Sequence, residues 1–394
     1  MKKRVFIWMT AMHLGGAERS LIGLLESFDY SKVDVDLFLN RHEGELLGDI
    51  PEQVNLIPEN SKYVSLTDPI KNTMFKGHFL IALARLFAKF LVKLKFPKNS
   101  SLGGSTTYSH KYTKWLMPKI QKDICYDFAI SYLTPHYFVE EKVNAKQKYA
   151  WIHQDYGKGV FDQKSNLLMW QPYNKIVSIS DDVTIGFAHC FPELKEKIIT
   201  LKNFLPIDLI KRSAEEETSL PYKKDAINIL SIGRFCWEKN FESIPEICYE
   251  IRQKGIDCYW YIIGFGALEE RIKQAIIDRD MEDFVFIIGK TDNPYPYIKN
   301  CSVYVQPSLS EGKAVTVTEA QVLGKPVVIT EYPTSHSQVN DGVDGLIAPI
   351  EPRKCAELIA ELVKNDKMLK ELEKNCLSMD YSGRENMSFL IDSK

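Results

Sequence analysis

Short apolar segments with strand character alternate along the chain with segments whose apolar residues recur at helical spacing. The strands predicted in the first half are Arg4–Met9, Val33–Leu39, Phe128–Leu133, Tyr149–His153, Lys175–Ser180 and Lys197–Leu201. Those predicted in the second half are Ile227–Ile232, Tyr259–Gly264, Phe284–Ile288, Val303–Gln306 and Val327–Thr330. The intervening helical patterns include Ala17–Phe28, Asp181–His189, Phe241–Lys254 and Leu268–Asp278. Strands that alternate with helices favour parallel sheets covered by helices on both faces.

The alternation is interrupted once, by a polar stretch from Pro206 to Lys224 that we interpret as a linker region. A chain of 394 residues is long enough for two domains, each with its own core. The pattern therefore predicts an α/β protein with two doubly wound, Rossmann-like domains, residues 1–205 and 206–378, facing each other across a cleft.

Composition narrows the class of protein only slightly. The net charge of −2 points to no particular partner, and no apolar stretch is long enough to span a bilayer. We expect no secretory signal, because Lys2-Lys3-Arg4 leads directly into a strand-like run. The eight cysteines include no Cys-x-x-Cys pair and lie mostly in apolar surroundings, so we expect reduced thiols in a cytoplasmic protein.

The most specific chemical signal is the run from Ser308 to Ala320, which carries Glu311 and Glu319 between a strand and a helix. A helix start offers free N–H groups and a positive dipole end, which suit a phosphate. Two carboxylates beside an anion site are explained if they accept hydrogen bonds from sugar and ribose hydroxyls. The alternative is a carboxylate at a helix N-terminus and a solvated glutamate, which the neighbouring motifs make less favourable.

A second signal follows the first strand of the second half, in Ser231–Asn240. Gly233 allows close approach of the backbone to a ligand. Arg234 supplies a planar guanidinium and Lys239 a compact ammonium, and both cations can bind phosphates. A departing diphosphate needs such cations. Solvated loop cations are the alternative for this stretch taken alone.

These two motifs resemble the signature of the retaining GT-B glycosyltransferases of family 4. The resemblance implies that Glu311 faces the donor sugar, Glu319 holds the ribose hydroxyls, and Arg234 and Lys239 hold the donor diphosphate. It covers the N-terminal glycine loop, His153 and most of the second domain through Gly345. It also implies that the C-terminal segment, residues 379–394, returns to the first domain.

The same resemblance extends the nucleotide-sugar site to further positions. It assigns to that site the glycine loop of the first domain and the residues around the two second-domain motifs: Gly15, Gly16, Gly233, Gly264, Gly312, Lys313, Ala314 and Val315. A plain structural turn is the alternative for the N-terminal glycine loop and for Gly264. Many members carry an aromatic or aliphatic residue in place of Lys313, so this departure leaves the donor sugar undetermined. His153, at the end of a predicted strand, corresponds to a histidine that touches the donor sugar, although a structural role is the alternative. Asn203 resembles a hinge-side asparagine, and capping is equally plausible.

The resemblance implies a retaining enzyme that takes a nucleotide sugar, with a UDP-sugar expected, and extends a glycan acceptor, including a lipid-linked one, in the synthesis of surface polysaccharide. No metal is expected for catalysis, since the histidines form no ligand pattern. A catalytically inactive nucleotide-sugar-binding protein of the same fold is the rival reading. An NAD-type Rossmann enzyme is disfavoured, because Glu269 stands where the dinucleotide fingerprint needs a small residue.

A strongly basic segment matches none of these motifs. Between Asp68 and Asp123 there is no acidic residue, whereas the cations are Lys71, Lys76, Arg85, Lys89, Lys93, Lys95, Lys98, Lys111, Lys114, Lys119 and Lys122. The spacing predicts a helix over residues 79–94 with Arg85, Lys89 and Lys93 on one face and apolar residues elsewhere. We expect contact with an anionic membrane at its inner face. An ordinary core helix with one solvated stripe is the alternative, and nucleic acid is not expected because exposed aromatics do not alternate with the cations.

Overall fold

A computed structural model describes residues 2–13, 15–96, 104–153, 156, 161–201, 204–219, 221–311 and 314–387, apart from the side chain of Asp182. The predictions for Gly312, Lys313 and Asn203 therefore concern residues outside the described part of the chain. The protein divides into two compact units, one formed by Met1–Pro206 with Ser382–Lys394 and the other by Ile207–Tyr381.

The first unit is built on a parallel sheet whose strands run in the order β3-β2-β1-β4-β5-β6-β7. The strands are β1 (Lys3–Met9), β2 (Val33–Leu39), β3 (Asn55–Leu56), β4 (Tyr126–Ser131), β5 (Ala145–Ile152), β6 (Lys175–Ser178) and β7 (Ile198–Thr200). The order reverses between β1 and β4, which defines a doubly wound sheet.

Helices connect these strands and cover the sheet. They are α1 (Gly16–Glu26), α2 (Ser61–Val64), α3 (Ile70–Phe75), α4 (Phe79–Lys95), α5 (Gly104–Thr113), α6 (Tyr137–Lys142), α7 (Gln163–Trp170) and α8 (Asp181–Cys190). Large aromatic side chains fill the core, where Trp8, Trp151 and Trp170 are almost completely buried. Near the chain end, Leu205 N–H donates to the carbonyl of Ser382 at 3.1 Å.

The second unit contains a parallel sheet with the strand order β10-β9-β8-β11-β12-β13. The strands are β8 (Ile227–Ile232), β9 (Cys258–Ile263), β10 (Val285–Gly289), β11 (Val303–Gln306), β12 (Val327–Thr330) and β13 (Leu346–Ala348). The order reverses between β8 and β11. The prediction of two doubly wound α/β domains is confirmed.

The helices of the second unit are α9 (Ile207–Ser213), α10 (Ile244–Gln253), α11 (Glu269–Asp278), α12 (Tyr295–Asn300), α13 (Val315–Val322), α14 (Ser335–Gln338), α15 (Pro352–Val363) and α16 (Asp366–Ser378). The interpretation of Pro206–Lys224 as a linker is wrong in its first part, because this stretch begins with α9. Leu209 and Ile210 of α9 are buried, and the helix packs against α12 and α13. A seven-residue helix has too few apolar repeats to stand out from a polar sequence.

The basic segment forms α3, α4 and α5, which pack on one another. Arg85 and Lys89 line one cavity, as expected for residues on the same helix face, but Arg85 is only partly exposed. Its guanidinium turns inward and donates to the carbonyls of Ser65 and Asp68 at 2.5 and 2.8 Å. Burial lowers the pKa of Arg85, and the charge of Asp68 partly offsets that effect. Period-four spacing placed three cations along one helix but could not show that one of them satisfies loop carbonyls.

Candidate functional site

The two predicted phosphate and sugar motifs of the second unit follow neighbouring strands. β8 ends at Ile232, directly before Gly233 and Arg234, and β11 ends at Gln306, just before the loop that carries Glu311. β8 and β11 pair in parallel and are the two strands between which the order reverses. The carboxyl ends of strands at such a reversal are where open α/β sheets bind ligands.

Lys239 and Glu311 meet at this point. The Lys239 ammonium donates to Glu311 Oε1 at 2.5 Å, and only 17% and 10% of the two side chains are exposed. The left-handed Asn240 ends the short turn that contains Lys239, and its Nδ2 donates to the carbonyl of Pro307 at 3.1 Å. This amide contact fastens the first loop to the second, which fixes the position of the ion pair.

A chain of hydrogen bonds, buried up to its last and partly buried link at Ser308, orients the Glu311 carboxylate. Ser308 Oγ donates to the same Oε1 at 2.6 Å, and Gln306 Nε2 donates to Ser308 Oγ at 3.0 Å. Tyr304 OH donates to Gln306 Oε1 at 2.9 Å. Both short bonds to Glu311 use one oxygen, so Oε2 has no hydrogen-bond partner among the described residues. The pair thus presents a free carboxylate oxygen, and the ammonium has N–H groups left for an anion.

The start of α13 supplies backbone donors beside Glu311. Ala314 caps the helix, and its N–H donates to Gln338 Oε1 at 2.8 Å, while Gln338 Nε2 donates to Thr318 Oγ1 at 3.0 Å. The Ala314 amide is therefore already used within the protein. The next amides, of Val315 and Thr316, lie in the first turn, where a helix has no acceptor of its own. These two N–H groups are the donors that a phosphate could use.

Glu319 lies one turn into α13 and is 2% exposed. Tyr295 OH donates to Glu319 Oε1 at 3.0 Å in a buried contact. The carboxylate is thus oriented by a tyrosine of α12 rather than solvated, which removes the alternative that it is a surface glutamate. Its role toward a ribose remains a prediction.

Arg234 and the glycines complete this edge of the sheet. Arg234 is exposed. Gly264 has a φ of +153°, and a Cβ there would lie 1.9 Å from the carbonyl oxygen of Gly233. A Cβ on Gly266 would lie 2.5 Å from the backbone oxygen of Phe235. The glycine pair therefore brings the β9 loop against the β8 loop, which accounts for both residues structurally and leaves direct ligand contact by Gly264 as a prediction.

In the first unit, His153 follows β5 directly. Its ring lies 4.9 Å from that of Tyr132, and Nε2 is buried with no hydrogen-bond partner among the described residues. Burial lowers the pKa of His153 to about 4, with the backbone of Tyr132 acting in the opposite direction. The imidazole is neutral at pH 7. An unsatisfied buried nitrogen at the carboxyl end of a strand is the kind of group that a ligand satisfies.

The glycine loop of the first unit differs from the simple anion site expected at a helix start. Gly15 caps α1, and a Cβ there would lie 2.2 Å from Glu18 Oε2. Burial raises the pKa of Glu18, while its own backbone amide and His13 lower it. A carboxylate already occupies the positive end of α1, whereas Gly16 faces open space.

Sequence reasoning missed the residues that hold the site, namely Ser308, Gln306, Tyr304, Tyr295 and Gln338. One signal was available for two of them. Gln306 and Tyr304 are polar residues in a buried strand, and buried polar groups require partners. Nothing in the sequence indicated Gln338, which lies 24 residues from its partner Ala314.

The described residues contain no group of three or more His, Cys, Asp or Glu side chains that could hold a metal ion. No helix in the described ranges is long and apolar enough to cross a membrane.

Residues 213–378, which make up most of the second unit, match the family model described as "Glycosyl transferases group 1". The chain is 33% identical over 132 residues to the amylovoran biosynthesis glycosyltransferase AmsK of Erwinia amylovora, covering 31% of this chain and 32% of that protein. It is 26% identical to the UDP-Gal:alpha-D-GlcNAc-diphosphoundecaprenol alpha-1,3-galactosyltransferase of Escherichia coli, covering 47% of this chain and 48% of that protein. The chain thus spans about a third to a half of the length of these relatives.

The similarity of fold extends over the whole chain. The crystal structure of Anabaena HepE in complex with UDP covers 100% of both chains with a TM-score of 0.58 and 13% identity. At that identity the match shows the fold alone, which is that of two Rossmann-like parallel-sheet units of the GT-B type.

Proposed function

We propose that this protein is a retaining glycosyltransferase that moves a sugar from a UDP-sugar to a glycan acceptor, including a lipid-linked one, in surface polysaccharide synthesis. The observation that carries the proposal is the Lys239–Glu311 pair at the strand-order reversal of the second unit. A carboxylate with one free oxygen and an ammonium with free N–H groups match the two halves of a diphospho-sugar.

The similarity of residues 213–378 to the group 1 glycosyltransferases supports this reading of the site. The printed name of the Escherichia coli relative combines a UDP-sugar donor with a diphosphoundecaprenol-linked acceptor, which favours both classes for this chain. The name of the Erwinia amylovora relative places it in amylovoran biosynthesis.

Each residue has a role in the proposed reaction. Lys239 and Arg234 neutralise the diphosphate as the bond between sugar and phosphate breaks, and the Val315 amide adds a neutral donor. Glu311 accepts hydrogen bonds from sugar hydroxyls through its free oxygen, and Glu319 accepts them from the ribose.

His153 is neutral, so its Nε2 can exchange one hydrogen bond with the donor sugar without adding charge. We infer retention by attack on the face that the leaving group departs from, with a donor phosphate oxygen as base. Anomeric analysis of the product by NMR tests this step, and an inverted anomer would exclude it.

Slow hydrolysis of UDP-sugars by the purified protein tests the proposed activity without knowledge of the acceptor. We expect Glu311→Ala to abolish hydrolysis and to leave UDP affinity within about threefold by calorimetry, since Glu311 is assigned to the sugar. Glu371→Ala, an exposed acid on α16, is the matched control and should retain full turnover. Undiminished turnover in Glu311→Ala would show that the role assigned to this carboxylate is wrong.

A thermal-shift panel of nucleotide sugars then identifies the donor. A ligand at ten times its dissociation constant stabilises the folded protein by about 1.4 kcal/mol, which is readily detected. UDP-sugars should shift the melting temperature more than GDP- or ADP-sugars. UDP binding without any turnover would instead indicate a nucleotide-sugar-binding protein of the same fold.

A further inference from the structure

Helix α4 exposes a continuous apolar face in the first unit. The exposed large hydrophobic side chains on α4 are Phe79, Leu80, Leu83, Leu86, Phe87, Phe90 and Leu94. At 100° per residue these seven positions fall within about one third of the helix circumference. The opposite side of α4, including Ile81 and Ala88, is buried against the unit.

This surface is unusual within the protein. Of the nineteen large hydrophobic side chains that are exposed among the described residues, ten lie between Met74 and Trp115. Phe75, at the end of α3, is 81% exposed and continues the face beyond the start of α4. A patch of this kind on a folded protein marks a contact with something outside the chain.

The charges beside the face have one sign. Lys89 and Lys93 are exposed along one margin of the apolar residues, and Lys71 lies near the ring of Phe75, 5.9 Å from its centroid. No acidic residue occurs between Asp68 and Asp123. An apolar stripe edged by lysines and free of acids complements an interface where acyl chains lie beneath anionic headgroups.

A small polar cavity of about 90 Å³ lies at the lysine margin. Arg85 and Lys89 line it from α4, and Ser105, Thr106 and Ser109 line it from α5. Ser109 Oγ is buried without a hydrogen-bond partner among the described residues, and Arg85 forms no ion pair there. Two cations and three hydroxyls without a carboxylate suit a phosphate group.

The helix is held rigidly enough to present this surface. Lys95 Nζ and Tyr108 OH, from α4 and α5, donate to Asp162 Oδ2 at 2.6 and 2.7 Å. Asp162 caps α7, so the pair of helices is fastened to the body of the first unit. At 17 residues α4 is about 25 Å long, and with one side packed on the unit it can lie only along a surface.

We propose that the exposed face of α4 docks on an anionic lipid bilayer, with Phe79, Leu83 and Phe90 inserted among the acyl chains and a lipid phosphate seated between Arg85 and Lys89. A second copy of this chain is the other possible occupant of an apolar face. The bilayer is favoured because two copies meeting through this face would bring like-charged lysine margins together.

Co-sedimentation with vesicles of phosphatidylcholine and phosphatidylglycerol, compared with phosphatidylcholine alone, tests the proposal on the full chain. Lys89→Glu/Lys93→Glu should weaken binding to anionic vesicles by at least 25-fold, since each lysine contributes roughly fivefold. Leu83→Gln/Phe90→Gln should also abolish sedimentation. These four side chains are exposed, so we expect unchanged melting temperatures.

Matched controls come from the second unit. Lys370→Glu/Lys374→Glu makes the same charge change at the same spacing on α16, and Ile277→Gln/Leu377→Gln removes two equally exposed hydrophobics. Both controls should bind vesicles like the wild type, and 0.5 M NaCl should weaken binding of the wild type.

Three results would overturn the proposal. These are a wild type that does not sediment with anionic vesicles, α4 variants that bind as the controls do, and a wild-type oligomer that Leu83→Gln/Phe90→Gln dissociates while vesicle binding is unchanged. Because the assay needs no nucleotide sugar, its outcome is independent of the proposed enzymatic activity.

Discussion

Three buried histidines of the first unit should make this unit sensitive to mild acid. Burial lowers the pKa of His110 to about 3, with Arg85 acting in the same direction, and lowers that of His153 to about 4. Burial also lowers the pKa of His136 well below its usual value, and its neutral ring shares hydrogen bonds with Ser131 and Thr134. All three are neutral in the folded protein at pH 7.

The direction of the effect follows from proton linkage. Because the folded-state pKa values are lowered, the unfolded chain binds more protons between about pH 4 and 6.5, and stability falls as pH falls through that range. At pH 5 a histidine with an unfolded pKa of 6.5 and a folded pKa of about 4 or lower costs ~2 kcal/mol. His110 and His153 together cost ~4 kcal/mol and His136 acts in the same direction, so the loss is a large part of the stability of an ordinary domain.

His110 provides the test because it lies outside the proposed site. Its ring packs 4.6 Å from Phe138 and 6.2 Å from Trp8, and its Nδ1 has no partner among the described residues. We expect His110→Leu to be nearly as stable as the wild type at pH 7.5 and to lose ~2 kcal/mol less stability on going to pH 5. Urea unfolding at several pH values between 7.5 and 5 measures this. His189→Leu, an exposed histidine of the same unit, is the control.

The reasoning fails if the urea midpoint of the first unit is flat between pH 7.5 and 5. It also fails if His110→Leu shows the same pH dependence as the wild type and as His189→Leu. Carboxylates with lowered pKa values act mainly below pH 5, so they contribute little to the change between pH 7.5 and 5.

Three further predictions concern the candidate site. Lys239→Met should lower kcat/KM for UDP-sugar hydrolysis at least 100-fold. It should also destabilise the second unit by about 2 kcal/mol, because the nearly buried carboxylate of Glu311 loses its cation. An unchanged rate and urea midpoint would contradict this. Gly264→Ala should destabilise the second unit by more than 2 kcal/mol in urea unfolding. The added Cβ would meet the carbonyl of Gly233, and residue 264 has a φ of +153°, which residues other than glycine rarely adopt. A urea midpoint like that of the wild type would contradict this. Tyr295→Phe should weaken UDP binding about fivefold by calorimetry, because Glu319 loses one oriented hydrogen bond. Adenosine should remain unbound. Unchanged UDP affinity would argue against contact of this carboxylate with the ribose.

Strands rich in apolar residues were predictable from the chain itself. β2, β8, β11 and β12 begin and end as predicted, because each is a short segment dominated by apolar and β-branched or aromatic residues and bounded mainly by polar or turn residues. β3 and β13, with two and three residues, were missed. Segments this short carry no period, and they exist only because a neighbouring strand offers them hydrogen bonds.

Chemistry at a strand end was also recognisable. Glu311, Lys239 and Arg234 lie in the segments that follow predicted strands, where parallel sheets bring polar loops to one edge. Their residue types alone suggested a diphosphate and a sugar. The sequence did not determine that Lys239 and Glu311 touch across 72 positions, since this required β8 and β11 to be neighbours at the reversal of strand order.

The amino-acid sequence by itself determined the alternation of strands and helices, and with it a doubly wound α/β protein with acids and cations after its strands. The tertiary structure alone decided which of those side chains meet, that Gln338 occupies the Ala314 amide, and that Arg85 turns inward while the aromatic side of α4 faces out. Periodicity is a property of neighbours along the chain. Contact between distant residues depends on strand order and on which buried polar groups need partners, and those are settled only when the sheet is assembled.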